Sequence, residues 1–345
     1  MTRPTPAPAP FTLTRRGMVL QPDPARLAER GGVLNPAAVL HAGVTYLYYR
    51  AVDVEPDNYS RILIATCLLG ADDQIQTTRL DRVALEPAAP YERWADGRGG
   101  GVEDPRVTPL DGAWYMAYTA YGTVAGVTAP RIALARSTDL LAWERLGLAQ
   151  FAPLAVTIAG QPAIVDLDRV PNKDAILFPE RIGGRYALLH RPMFAPATGL
   201  PQSIWLSWST DLRYWTDHQL VLPPTRPWER LKVGGGTPPI RTPHGWLTFY
   251  HGVEGRADAD PQRRYHAGAL LLDLADPARV RYQTPTPVLS PLTAAETSGV
   301  VANVVFPSGV VQQPGGRIDV YYGMADQAIG LATTTLPAPN AWPRG

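Results

Sequence analysis

Asp104, in the run Gly101-Val102-Glu103-Asp104-Pro105-Arg106, has the setting most suggestive of chemistry. A carboxylic acid beside a sugar can protonate a leaving oxygen, above all where burial or a neighbouring carboxylate lifts its pKa. The same run also permits an ion pair between Asp104 and Arg106 that ties adjacent loops. Strand alternation sends Glu103 and Asp104 to opposite faces, so the two need not form a dyad. A second group is basic. Arg50, Arg191 and His251 stand at matched places in a repeated pattern whose two remaining places hold Thr119 and Gly323. Together with Lys173 they could converge as an anion site, or stand apart as solvated rim charges.

The elements that must position these residues recur along the chain. A turn containing Gly leads into an aromatic-rich strand at 41–50, 111–119, 183–191, 244–251 and 315–323, and the closing positions are 69, 72, 60 and 72 residues apart. Further strands are expected at 131–137, 203–209 and 329–333, where the runs are β-branched or aromatic and alternate with period two. A four-stranded sheet cannot bury both faces alone, whereas sheets set radially stack face to face, so five units predict a five-bladed β-propeller. The innermost strands are expected to begin near 32–36, 101–106, 173–180, 234–239 and 303–308, each with a residue-Pro step. Proline there should hold the preceding residue extended and fix the aim of its side chain toward a central channel. Asp139 and Asp211, in the paired runs Ser137-Thr138-Asp139 and Ser209-Thr210-Asp211, read as turn formers beneath Trp143 and Trp215.

Composition narrows the partners. The 345 residues carry 32 Lys plus Arg against 31 Asp plus Glu, a formal charge of +1, so no broad field would attract nucleic acid. Thirty-six prolines and thirty-one glycines leave room only for short helical pieces, near 24–30 and 293–296. Cys67 is alone, which excludes a disulfide within the chain and suits a buried strand thiol. Residues 1–10 read as a loose Pro/Ala-rich tail and 11–345 as one propeller domain that is catalytic. With no signal-type apolar core and no membrane-length apolar run, a cytoplasmic protein with no membrane partner is expected. The six histidines show no compact zinc-ligand spacing, so no metal and no cofactor is expected.

Taken in order, Asn35-Pro36, Tyr49-Arg50-Ala51, Gly101 to Arg106, Lys173 to Glu180, His190-Arg191-Pro192, Gly235 to Pro239, Gly245 to Gly252 and Tyr321 to Asp326 resemble glycoside hydrolase family 130. That family comprises β-mannoside phosphorylases and related β-mannosidases, and the resemblance runs from about residue 30 to residue 335. It implies a five-bladed propeller and an inverting reaction on a terminal β-D-mannoside, with Asp104 as the only catalytic carboxylate. It further implies that phosphate is the co-substrate, that α-D-mannose 1-phosphate is the product, and that the proton passes through the mannosyl 3-hydroxyl. By position in the motifs, Lys173, Arg191 and His251 would hold phosphate, with Lys at a place where relatives may carry Arg. Asn35, Arg50 and Asp326 would bind the sugar, and Arg106 would contact it or orient the Asp104 loop.

An inverting hydrolase needs a second carboxylate roughly 6.5–9.5 Å from the acid to activate water, whereas phosphate needs cations instead. The basic set therefore favours phosphorolysis. Glu103, Asp174, Glu180 and Glu254 keep hydrolysis open as the alternative. A glycan-binding propeller without activity and a furanosidase of similar form are the other readings, and both fit the Glu-Asp-Pro-Arg context less well. Acceptor sugar, linkage and oligomeric state are not fixed by these residues.

Overall fold

Each of the five aromatic-rich runs folds as the second strand of an antiparallel sheet, paired on one side with an inner strand that faces the axis. The structure is a computed structural model and describes residues 11–54, 59–70 and 74–337; the segment 1–10 expected as a tail lies outside them. Blade I comprises Gly32–His41, Val44–Asp53, Tyr59–Leu69 and Ile75–Leu85, and blade II comprises Gly100–Leu110, Ala113–Val124, Val127–Ser137 and Glu144–Leu148. Blade III comprises Asn172–Leu177, Tyr186–Pro192, Ile204–Ser209 and Tyr214–Leu222. In blade IV the inner position is split between Lys232–Gly235 and Ile240–Thr242, followed by Gly245–Glu254, Arg264–Leu272 and Val280–Gln283.

Blade V takes Val305–Gln312, Arg317–Met324 and Ala328–Thr335 from the end of the chain and its outer strand, Thr14–Leu20, from the beginning. This pairing closes the ring with backbone hydrogen bonds rather than side-chain packing alone. A hairpin, Leu154–Ile158 with Gln161–Val165, is inserted between blades II and III. The fold is the expected five-bladed β-propeller. Among the described residues helix is confined to single turns, including Leu27–Glu29 and Ala294–Thr297.

The core lies between blades. Five apolar clusters fill the five clefts, for example Val107, Met116 and Ala133 against Ala37, Tyr48 and Ile62 between blades I and II. Blades III and IV meet through Leu189, Leu206 and Trp208 against Val233, Trp246 and Leu270. Cys67 is buried in the cleft between blades V and I. Asp139 and Asp211 each accept two backbone N–H bonds at 2.8–2.9 Å in the turns that seat Trp143 and Trp215. Among the described residues no helix is long and apolar enough to cross a membrane.

A second repeat, polar and buried, pins the lead-in turn of four blades. Glu29, Glu92, Glu229 and Glu296 each stand third in a one-turn helix and are fully buried. Each accepts a hydroxyl bond from a second-strand tyrosine, Tyr49, Tyr118, Tyr250 or Tyr322, at 2.7–2.9 Å. The outer strand supplies Arg79, Arg145, Gln283 and Arg15 to the same carboxylates at 2.8–3.0 Å. Blade III departs from this plan. Its turn, Leu167–Arg169, ends in Arg169, whose side chain is 88% exposed, and a neutral chain of His190, Ser207 and His218, linked at 2.7 Å, replaces the Tyr–Glu–Arg unit.

Candidate active site

The inner strands of blades I, II and III break register at one point each, between Leu34 and Ala37, Glu103 and Arg106, and Lys173 and Ile176. Asn35, Asp104 and Asp174 occupy these bulges with left-handed backbones, φ 46°, 48° and 58°. This corrects the expectation that Pro36 and Pro105 keep the preceding residue extended. A short polar side chain tolerates the left-handed region better than other L-residues, and a bulge re-aims it out of the sheet plane. Each such residue stores roughly 1–3 kcal/mol of strain, which its surroundings must hold.

All three open into one cavity of about 190 Å³ at the mouth of the channel, together with Arg50, Lys173, Arg191, His251 and Asp326. On the side of blades I and II, Asn35 donates to Asp104 Oδ1 at 2.9 Å and Arg50 reaches the same oxygen at 3.4 Å. Arg50 also donates to Glu103 Oε1 at 2.8 Å, and Lys173 Nζ lies 3.5 Å from Glu103 Oε2. Glu103 and Asp104 therefore converge on one guanidinium. The bulge interrupts the alternation that would have separated them.

Arg106 is 1% exposed and does not line the cavity. It donates to the backbone carbonyls of Gly236 at 2.5 Å and Asp104 at 2.8 Å, so it fixes the Asp104 bulge from below and, among the described residues, makes no carboxylate ion pair. Gly323 leaves room above Asn35, where a Cβ would stand 2.2 Å from Asn35 Oδ1. Burial works to raise the Asp104 pKa, but Arg50, Lys173, Arg106 and Asn35 outweigh it and hold the carboxyl below its ordinary value. For Asp326, burial and the charge of Asp104 prevail over Arg50 and push the pKa up to about 6.

The remainder of the cavity is cationic. Arg191 donates to Asp174 Oδ2 at 2.6 Å and to the Gln202 side chain, while His251 Nε2 lies 3.6 Å from the same Asp174 oxygen. Burial, supported by Arg191 and Lys232 and only partly opposed by Asp174, holds the His251 pKa at about 3. His251, only potentially basic at its matched position, is thus a neutral hydrogen-bonding group at neutral pH. Phe306 packs against its ring in a tilted arrangement with centroids 4.4 Å apart, which restrains the imidazole plane. Gly234 is required for this geometry: a Cβ there would lie 2.4 Å from both Asp174 Oδ2 and His251 Cε1.

Several lining residues escaped the sequence reading: Lys232, Arg263 and Tyr265 from blade IV, and Met193. Lys232 had a signal, since it opens an inner strand as Lys173 nearly does; Arg263 and Tyr265 follow a loop whose path no pattern reveals. Lys232 pairs with Asp258, and Arg263 Nε is buried without a hydrogen-bond partner among the described residues. Asp174, considered only as a possible base, is instead held well below the ordinary carboxylate range, its burial overcome by Arg191, His251 and Arg106. Glu180 pairs with Arg241 and Glu254 with His266, both away from the cavity. Among the described residues no group of three His, Cys, Asp or Glu is placed to hold a metal ion.

Known proteins resemble this chain over nearly its whole length. A family model described as β-1,4-mannooligosaccharide phosphorylase matches residues 13–338. A 1,2-β-oligomannan phosphorylase from a Thermoanaerobacter species is 37% identical over 316 residues, covering 91% of this chain and 93% of that protein. A β-1,2-mannobiose phosphorylase from the same source is 33% identical over 332 residues, covering 93% and 97%. The solved structure of the Listeria innocua β-1,2-mannobiose phosphorylase with β-1,2-mannobiose superposes with a TM-score of 0.73 at 26% identity, covering 94% of this chain and 97% of that one. The chain belongs to glycoside hydrolase family 130.

Proposed function

We propose that this protein is an inverting β-mannoside phosphorylase that releases α-D-mannose 1-phosphate from the end of a β-1,2-linked mannoside. The observation that carries the reading is the division of one cavity between Asp104 and a group of cations. Phosphate is already a nucleophile, so cations that bring it to the anomeric carbon replace the general base an inverting hydrolase needs. Lys173, Arg191 and Lys232 supply charge, and neutral His251 supplies a hydrogen bond. Asp174, drawn to Arg191 and strongly acidic, is a poor base for water. Asn35, Arg50 and Asp326 take the mannosyl hydroxyls, with Arg106 holding the Asp104 bulge.

In the reaction a phosphate oxygen bonds to the anomeric carbon as the glycosidic C–O bond breaks on the opposite face. Asp104 supplies the proton to the departing oxygen through the mannosyl 3-hydroxyl. Arg50 and Lys173 stabilise the charge of Asp104 and favour its ionised form. A bound phosphate dianion draws on the same cations and so favours the protonated acid. The linkage follows two relatives that match over more than nine-tenths of this chain, both named for a β-1,2-linked substrate. A cytoplasmic location suits a charged sugar-phosphate product, which a bilayer retains.

The test offers β-1,2- and β-1,4-mannobiose with and without phosphate and identifies both sugar products. Phosphate-dependent release of α-mannose 1-phosphate from the β-1,2 substrate is expected. Free mannose formed at the same rate without phosphate would make the protein a hydrolase. In the same assay Asp104→Asn should lose roughly 10²- to 10⁴-fold in turnover while remaining folded.

A further inference from the structure

A second cavity of about 190 Å³ opens in the cleft between blades II and III. Its walls are aliphatic, from Ile132 and Leu148 on blade II and Leu167 and Val170 around the lead-in turn of blade III. Two charged groups of opposite sign also line it. Arg131 donates only to the backbone carbonyls of Gly122, Ala129 and Val127, at 3.2–3.3 Å, and no carboxylate lies within ion-pair distance among the described residues. Burial lowers its pKa with no acid to oppose the shift. Asp168 accepts the Phe151 N–H at 2.8 Å through Oδ1, and its other oxygen is unengaged among the described residues.

This composition selects a ligand class. A simple anion would meet Asp168, a simple cation would meet Arg131, and an apolar molecule would desolvate both without recompense. A pyranose satisfies all three constraints: its hydroxyls both accept from a guanidinium and donate to a carboxylate, and its C–H faces lie on aliphatic walls.

The position is equally specific. Asn172 lines this cavity and Lys173, the next residue, lines the catalytic one, so the two cavities flank a single step of one inner strand. The lead-in turn beside it is also the one that lacks the buried glutamate found in the other four blades. Departure from a local rule is expected where a site has been accommodated.

We propose that this cavity is a distal carbohydrate site, holding a mannosyl unit of a longer chain whose terminal unit occupies the catalytic cavity. The proposal rests on the phosphorolytic reading. Its test compares β-1,2-mannobiose with β-1,2-mannotetraose at saturating phosphate in the wild type, Arg131→Met and Asp168→Asn. Loss of one hydrogen bond to a charged group predicts a rise of roughly tenfold in KM for the tetrasaccharide. Mannobiose kinetics should be unchanged, which also certifies that each variant is folded. Unchanged tetrasaccharide KM, or an equal change for both substrates, overturns the site. If the wild type turns over neither substrate, the functional reading fails instead. Calorimetric binding of mannotetraose then tests the cavity alone, with equal affinity of wild type and Arg131→Met counting against it.

Discussion

Gly234→Ala perturbs the proposed anion-binding part of the site without substituting any group proposed to meet phosphate. Gly234 sits in the inner strand of blade IV, paired with His251, and its backbone is not in the left-handed region. The added methyl therefore acts by contact alone. Its carbon would stand 2.4 Å from both Asp174 Oδ2 and His251 Cε1, where ordinary contact begins near 3.4 Å. Both groups must retreat by about 1 Å. The Asp174–Arg191 bond at 2.6 Å has no slack to absorb this, and Phe306 packs against His251. A displacement of that size at a reacting centre can cost on the order of 10²-fold. Overpacking of this kind is typically worth about 1–3 kcal/mol of stability.

The expected result is a phosphate KM raised roughly 10- to 100-fold, with the mannoside KM nearly unchanged because Asn35, Arg50 and Asp104 lie on other blades. Initial rates over a grid of phosphate and β-1,2-mannobiose concentrations separate the two constants. Wild-type phosphate dependence in a variant shown to be folded would refute the assignment of Asp174, Arg191 and His251 to phosphate. A loss confined to mannoside affinity would refute it equally.

Two further outcomes follow from buried charge. Asp326 has its pKa pushed up to about 6 in the folded protein, so folding favours its protonated form. Stability should fall as pH rises from about 4 to about 6 and then level off, by at most about 3 kcal/mol. Asp326→Asn should accordingly raise the Tm at pH 7.5 and leave it unchanged near pH 3.5; equal effects at both would remove the assignment. Glu296→Gln in blade V weakens the contact with Arg15 at 2.8 Å and puts an amide beside the Tyr322 hydroxyl and the Leu292 and Thr293 N–H groups. Urea unfolding should show a loss of about 3–5 kcal/mol, whereas Arg169→Ala, at the matching place in blade III, should change stability by less than about 0.5 kcal/mol.

Much of this architecture was legible because strands announce themselves locally. The second strands of all five blades could be placed from aromatic alternation after a glycine turn, and their closing positions brought Arg50, Arg191 and His251 into one cavity. The buried glutamates escaped notice because each lies 20–26 residues before its tyrosine, and nothing between them marks the pair. The outer strand of blade V was illegible for a related reason. Thr14–Leu20 pairs with residues some 300 positions away, and ring closure is a property of the whole chain.

Local pattern determined which residues could do chemistry: Asp104 before a proline, a basic residue at the end of three second strands, and glycines where strands must approach closely. Only the tertiary structure decided what those residues are. Bulges at Asn35, Asp104 and Asp174 overrode both the proline rule and strand alternation, because local backbone preferences are worth little against a network of buried hydrogen bonds. Burial made His251 neutral and Asp326 reluctant to ionise, and neighbouring cations kept Asp104 charged. Charge state depends on the solvent and partners that folding leaves around a group, and no spacing along a chain encodes that.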